Sequence, residues 1–64
     1  MALIPVNSSS IRAVGYSGST LAVLFHTSDT VYEHPGVPYW VFAGLMLASS
    51  KGAFYNRYIR GRYR

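Results

Sequence analysis

Two prolines divide this chain of 64 residues into parts with different periodicities. Pro35 and Pro38 lack the backbone N–H that a central strand or a helix interior requires, although Pro38 suits the first turn of a helix. Before Pro35 the apolar residues alternate with period two, and after Pro38 they recur at helical spacing. The sequence therefore predicts an α+β domain in which a sheet precedes helices.

Three stretches before Pro35 have the pattern of strands joined by short turns, and they are residues 11–16, 20–26 and 30–34. Connections this short pair neighbouring strands in a three-stranded antiparallel meander. The middle stretch is apolar on both faces and is expected at the centre. In the first strand, Ile11 should share a face with Ala13 and Gly15. Residues 1–10 are expected to form an arm, because Pro5 disfavours a regular strand.

Two helices are predicted after the prolines, at residues 38–48 and 50–62, which gives a single domain over residues 1–64 with the order βββαα. The first helix contains no charged side chain. One of its stripes is expected to pack on the sheet, namely Val41, Gly44, Leu45 and Ala48. The opposite stripe is also apolar and consists of Tyr39, Phe42, Ala43 and Met46.

A helix that is apolar all round is expected to be buried all round. A single chain of this length offers no further segment to cover the second stripe. The sequence therefore predicts a homo-oligomer, a dimer or larger, that associates through Tyr39, Phe42, Ala43 and Met46.

The segment 49–64 carries five of the six basic residues and neither acidic residue. Its apolar stripe is predicted to be Phe54, Tyr58 and Ile59. Arginine binds phosphate bidentately and stacks on bases, which favours an anionic ligand. The predicted anion- or nucleic-acid-binding residues are Ser49, Ser50, Lys51, Asn56, Arg57, Arg60, Arg62 and Arg64. The alternative interpretation is an amphipathic helix with a solvated basic face.

The start of this segment, from Ser49 to Gly52, combines hydroxyls, a lysine and a glycine with the unpaired N–H groups of a helix start. These groups suit a phosphate. In the alternative interpretation a serine only caps the helix.

Four aromatic or imidazole side chains are predicted to stack on unpaired bases: Tyr32, His34, Tyr55 and Tyr63. Tyr32 and His34 should share one sheet face, since they are two residues apart. Alternatively, Tyr32 packs against a helix and His34 caps its strand. The tyrosines and arginines are also residue types that anchor protein interfaces.

Catalytic and metal-binding patterns are weak. Asp29 and Glu33 do not form a carboxylate pair, and the sequence has no cysteine. His26 and His34 could come together across neighbouring strands, but two histidines without a third ligand make a weak metal site. The favoured interpretation is that both are ordinary strand residues with satisfied ring nitrogens. We therefore expect no catalytic residue, no metal and no cofactor.

The charge pattern and the apolar segments bear on partners and location. The formal net charge of +4 favours anionic partners. Residues 1–6 lack the basic start of a signal peptide. The longest apolar run, residues 37–48, is too short to cross a bilayer. We therefore expect a cytoplasmic protein that does not contact membranes.

The order of residues near the C-terminus resembles that of a known family. The chain has an Ala-x-Ser-x-Gly turn, an aromatic-rich helix with an Asn, an Ile-Arg pair and a final Tyr, which are Ala48, Ser50, Gly52, Phe54, Asn56, Ile59, Arg60 and Tyr63. This order resembles the end of the KTSC domain, found at the C-terminus of some lysyl-tRNA synthetases and alone in small bacterial and phage proteins.

The resemblance extends upstream through Ser8-Ser9, Ile11, Gly15-Tyr16 and Val37-Pro38, so it covers nearly the whole chain. It implies the family's fold, and RNA binding is the activity suggested for that family. The family has Tyr-x-Tyr where this chain has Tyr32-Glu33-His34, so one tyrosine of the expected stacking surface is replaced.

Two functional hypotheses follow from the sequence. The first is a non-catalytic binding module that contacts RNA, DNA or a nucleotide through the C-terminal basic and aromatic helix. The second is an oligomeric protein-binding module, such as a small phage or accessory protein that inhibits a host enzyme or defence system. The segregated arginines favour the first hypothesis, and the charge-free first helix favours the second.

Overall fold

The computed structural model describes residues 2–63 and confirms an α+β fold in which an antiparallel sheet precedes two helices. The sheet has the order β1-β2-β3-β4. Its strands are β1 (Ile4–Pro5), β2 (Ile11–Ser17), β3 (Thr20–Phe25) and β4 (Val31–His34). The helices are α1 (Tyr39–Leu47) and α2 (Lys51–Phe54), and α2 continues into a π-helical segment (Tyr55–Ile59). Within residues 2–63 no helix is long and apolar enough to span a membrane.

The sheet has four strands, not the three that the sequence predicts. Ile4 pairs with Val14 and Pro5 pairs with Ala13, so part of the expected arm is an edge strand. The pairing continues beyond β1, because the Val6 N–H donates to the Arg12 carbonyl at 3.1 Å. Pro5 is tolerated there because a proline on an edge strand removes no hydrogen bond from a central ladder.

A β-bulge changes which residues of β2 face the core. Ile11 pairs with Phe25, whereas Ala13 pairs with Leu24, so Arg12 is an extra residue. The bulge moves Ile11 onto the same face as Val14. The expectation that Ile11 shares a face with Ala13 is therefore wrong.

The core lies between one face of the sheet and the helices. Leu21 and Val23 of β3 are fully buried, which confirms the central position of this strand. They belong to one apolar cluster with Val41 and Leu45 of α1 and with Ile59 of the π-helical segment.

The second face of α1 is covered more than the sequence predicts. The Phe42 ring stacks on Tyr16 of β2, with centroids 4.8 Å apart and planes 11° apart. The Tyr16 hydroxyl donates to the Val37 carbonyl, which holds the Tyr16 ring in place. Phe42 and Met46 both pack against the core cluster.

The predicted outward stripe of α1 is therefore wrong for two of its four residues, since Phe42 and Met46 pack against the core cluster. Tyr39 is exposed, and the partly covered Ala43 lies between Tyr39 and Leu47 on the side away from Val41 and Leu45. The large exposed side chains of α1 are Tyr39, Trp40 and Leu47. Self-association stays a prediction, but its predicted contact residues change.

The second helix is shorter and wider than predicted. It begins after Ser50 and ends at Ile59, not at residue 62. The Arg60 N–H donates at 2.9 Å to the carbonyl of Tyr55, five residues earlier, which is the hydrogen bond of a π-helix. The wider turn buries Tyr55 together with Ile59 and leaves Tyr58 exposed. The predicted apolar stripe of Phe54, Tyr58 and Ile59 is therefore wrong for Tyr58. We refer to Lys51–Ile59 as the C-terminal helix.

The turn between β2 and β3 provides a test of the fold. Gly18 and Ser19 have φ angles of 55° and 68°, which are typical of a type I′ hairpin turn. We expect Ser19→Val to lower the free energy of unfolding by about 1–3 kcal/mol, because a β-branched residue is strained in the left-handed region. Ser19→Asn is the matched control and should change stability by less than about 0.5 kcal/mol. Equal urea midpoints for the two variants would contradict this turn geometry.

Candidate functional site

A cleft of about 370 Å³ opens between the β3–β4 turn and the C-terminal helix. Seven residues line it, and they are Phe25, Thr27, Ser28, Tyr32, Tyr55, Asn56 and Arg60. Four of these were predicted as binding residues from the sequence, namely Tyr32, Tyr55, Asn56 and Arg60. The fold thus brings together part of the predicted stacking set and part of the predicted anion-binding set.

Three aromatic rings form the apolar part of the cleft. Phe25 contacts Tyr32 and Tyr55 in edge-to-face arrangements, with centroid distances of 5.8 and 5.1 Å. The Tyr32 side chain is 45% exposed, so its ring is accessible to a ligand. Tyr55 is only 7% exposed, so its predicted role as a stacking surface does not fit the structure.

The polar part of the cleft comes from the turn and the helix. The Ser28 hydroxyl accepts from the Thr30 N–H at 3.0 Å, and the Ser28 N–H donates to the Phe25 carbonyl at 3.3 Å. These bonds fix the turn that carries Thr27. Asn56 and Arg60 are exposed on the helix side. The cleft therefore presents an amide, a guanidinium and hydroxyls around an aromatic ring.

Tyr55 remains a hydrogen-bond donor at neutral pH. Burial raises the pKa of its phenol above the ordinary value of 10.0, against the opposing effect of the nearby Arg60 guanidinium. The neighbouring Tyr32 raises this pKa further. The proton of Tyr55 is consequently retained for a bond within the chain.

His34 accepts that bond and also holds the C-terminal segment. Its Nε2 lies 2.8 Å from the Tyr55 hydroxyl, and its Nδ1 lies 2.9 Å from the Tyr63 carbonyl. A carbonyl only accepts, so Nδ1 carries the proton and, in the neutral ring, Nε2 accepts from Tyr55. Tyr32 and His34 do share a sheet face, but His34 lies against Tyr55 and is not available as a stacking surface.

The two histidines do not meet. His34 pairs with Leu21 near the start of β3, whereas His26 follows the end of that strand. His26 Nε2 instead lies 2.9 Å from the Ser8 carbonyl. The alternative in which His26 and His34 come together is therefore wrong, and each histidine has a hydrogen-bond partner within the chain. Residues 2–63 contain no group of three or more side chains suited to hold a metal ion.

Two side chains of the predicted anion site at Ser49–Gly52, those of Ser50 and Lys51, bond within the chain. The Ser50 hydroxyl accepts from the Ala53 N–H at 3.4 Å, so Ser50 caps α2. Lys51 Nζ donates to the Ala48 carbonyl at 3.1 Å. A Cβ at Gly52 would lie 2.8 Å from the Ser10 hydroxyl oxygen, so the space beside Gly52 is filled by Ser10.

Five of the other predicted residues line two further depressions. Ser49, Ser50 and Arg57 lie in a shallow one of about 320 Å³. Arg62 and Tyr63 lie with Trp40 and Tyr58 in a groove of about 450 Å³ between α1 and the C-terminal helix. Arg62 Nε also donates to the Arg57 carbonyl at 3.3 Å. Arg64 lies outside the described residues. The predicted set is thus divided among three surfaces.

Sequence reasoning missed Phe25, Thr27 and Ser28. It identified the end of the middle strand and the polar turn after it, but not their position beside Asn56. The available signal was a turn rich in hydroxyls that directly follows an apolar strand ending in Phe25. Their closeness to the C-terminal helix depends on tertiary packing.

Comparison with known proteins identifies relatives along nearly the whole chain. The model of the KTSC domain family matches residues 7–63, which include every residue of the cleft. A protein from Tsukamurella paurometabola is 38% identical over 61 residues, covering 94% of this chain and 91% of its own. The crystal structure of a KTSC domain protein from Yersinia pestis has a TM-score of 0.90 and 32% identity, and the match covers 98% of this chain and 90% of that one.

The hydrogen bond between Tyr55 and His34 can be tested by deleting one hydroxyl. We expect Tyr55→Phe to lower the free energy of unfolding by about 1–3 kcal/mol, because the half-buried His34 Nε2 loses its donor. Tyr58→Phe deletes a hydroxyl from a half-exposed residue of the same helix and should cost less than about 0.5 kcal/mol. Urea denaturation measures both variants. An equal loss for the two would show that the Tyr55–His34 bond does not stabilise the fold.

Proposed function

The chain belongs to the KTSC domain family, and on this premise we propose that it is a non-catalytic binding module whose cleft holds a nucleotide unit. In this proposal one base stacks on Tyr32, and the adjacent phosphate contacts Arg60. Asn56 and the hydroxyls of Thr27 and Ser28 bond to the edge of the base or to the ribose. The nucleotide is either free or part of a single-stranded nucleic acid.

The observation that carries this proposal is the presence of an accessible aromatic ring and an exposed guanidinium in one cleft. Tyr32 and Arg60 both line it, although they are far apart in the sequence. Stacking of a base on an aromatic side chain contributes roughly 1–3 kcal/mol, and arginine suits the planar geometry of phosphate oxygens. An amide such as that of Asn56 can donate to and accept from a base edge.

The charge distribution supports an anionic ligand. Five of the six basic residues follow residue 50, and the two acidic residues, Asp29 and Glu33, do not line the cleft. A polyanion is therefore attracted toward the C-terminal part of the chain. Such binding is expected to weaken as salt is added.

Binding without catalysis is proposed because the cleft lining offers no general base. Neither carboxylate of the sequence is among the lining residues. The nearby imidazole of His34 is occupied at both nitrogens by Tyr55 and Tyr63. The family match indicates no catalytic family.

A second candidate function is contact with another protein. The exposed side chains of Tyr39, Trp40 and Leu47 favour it, since apolar groups concentrated on one helix are typical of protein interfaces. An accessory protein that inhibits a host enzyme or defence system would use such a surface. The nucleotide proposal does not depend on it, because these residues do not line the cleft.

The proposal is tested by binding of a labelled single-stranded oligouridylate, followed by fluorescence anisotropy. We expect Arg60→Ala to weaken binding by about tenfold or more, because a charge-assisted hydrogen bond contributes about 1.5–3 kcal/mol. The matched control is Arg12→Ala, which removes the same charge from an exposed position on β2. Tyr32→Phe should keep the affinity, and Tyr32→Ser should reduce it.

The outcomes distinguish binding in the cleft from general attraction to the basic charge of the chain. An equal loss for Arg60→Ala and Arg12→Ala would contradict a site in the cleft and indicate diffuse electrostatic attraction. Competition by uridine monophosphate distinguishes the two ligand forms. Full competition at micromolar concentration indicates a free nucleotide, whereas competition only by an oligonucleotide indicates single-stranded nucleic acid.

A further inference from the structure

The outer face of α1 is apolar, exposed and free of charge. Tyr39, Trp40 and Leu47 are 66%, 73% and 86% exposed. They lie around Ala43 at helical spacing, since residues 39, 43 and 47 are four apart and residue 40 is three before 43. None of the nine residues of α1 is charged. The face therefore has three large side chains around a small central residue.

We infer that this face binds the same face of a second copy, with two antiparallel α1 helices crossing at Ala43. A two-fold axis at Ala43 places Trp40 and Tyr39 of one copy opposite Leu47 of the other, because these positions are nearly symmetric about residue 43. The small side chain of Ala43 permits the two backbones to approach closely. This inference is independent of the nucleotide proposal.

The charge pattern favours a second copy over a foreign charged partner. An antiparallel pair of α1 helices brings no like charges together, since α1 carries none. The two helix dipoles are also opposed, which is favourable. The nearest charge among the groove residues is Arg62, which lies beside Trp40 in the adjoining groove and not on the face itself. A second α1 face is neutral and apolar over the same length, so it matches in chemistry and in extent.

The exposed area indicates a weak dimer. With about 150 Å² for each of Tyr39, Trp40 and Leu47, which is the lower value for a large aromatic side chain, two copies bring together on the order of 900 Å² in total. This area lies in the range of weak interfaces, below about 1,200 Å². The groove between α1 and the C-terminal helix adjoins the face, because Trp40 lines both. We therefore expect a dimer that dissociates on dilution.

Disulfide cross-linking tests this geometry directly. The sequence has no cysteine, so each introduced cysteine is the only thiol of its chain. Under mild oxidation, Ala43→Cys is expected to form a linked dimer, because a disulfide requires Cβ atoms about 3.5–4.5 Å apart. When the Trp40→Cys protein is mixed with a Leu47→Cys protein that carries a size tag, we expect a disulfide-linked dimer that contains one chain of each. Arg57→Cys, exposed on the C-terminal helix, is the control for random collision.

Each outcome supports or overturns the inference. The contact is supported if Ala43→Cys cross-links at least tenfold faster than Arg57→Cys. It is supported further if the Ala43→Cys cross-link is lost when Leu47→Lys is added to the same chain. Equal rates for Ala43→Cys and Arg57→Cys overturn it. Cross-linking of Ala43→Cys without the mixed Trp40–Leu47 product overturns the antiparallel arrangement. Sedimentation of the wild-type protein is a further test that does not depend on the folding of any variant. A wild-type protein that is monomeric at high micromolar concentration refutes self-association.

Discussion

The imidazole of His34 links the sheet to the C-terminal helix, and the position of the cleft depends on this link. One nitrogen bonds to the Tyr55 hydroxyl at the start of the π-helical segment, and the other bonds to the Tyr63 carbonyl after its end. The π-helical segment between these two anchors has its wider turn and buries Tyr55 with Ile59. The next residue, Arg60, lines the cleft.

The cleft and the α1 face are built from different parts of the core. The cleft lies where β3 ends and the turn to β4 begins, and Phe25 joins the rings of Tyr32 and Tyr55 there. The α1 face is opposite the buried Val41 and Leu45, while Tyr16 covers Phe42 at its side. The two surfaces have no residue in common. The proposed ligand and the proposed second copy therefore do not compete for the same side chains.

Much of the fold was predictable from the sequence, because it follows local patterns. Period-two alternation predicted β2, β3 and β4, and Pro38 predicted the start of α1. The bulge at Arg12 and the strand at Ile4–Pro5 have no such local signal, since both depend on pairing between distant residues. Tyr32, Asn56 and Arg60 could be predicted as candidates from their residue types. Their grouping in one cleft, apart from Arg62 and Ser50, and the choice of Tyr55 as the partner of His34 depend on tertiary packing.

The central claim is that one cleft, and not the basic charge as a whole, binds a nucleotide. Amide chemical-shift mapping in solution during titration with a short oligouridylate tests this claim most directly. The account predicts shift changes concentrated at Thr27, Ser28, Asn56 and Arg60, with Arg12 and the α1 amides unchanged. Shift changes distributed over all basic residues, or centred on the groove between α1 and the C-terminal helix, would contradict it.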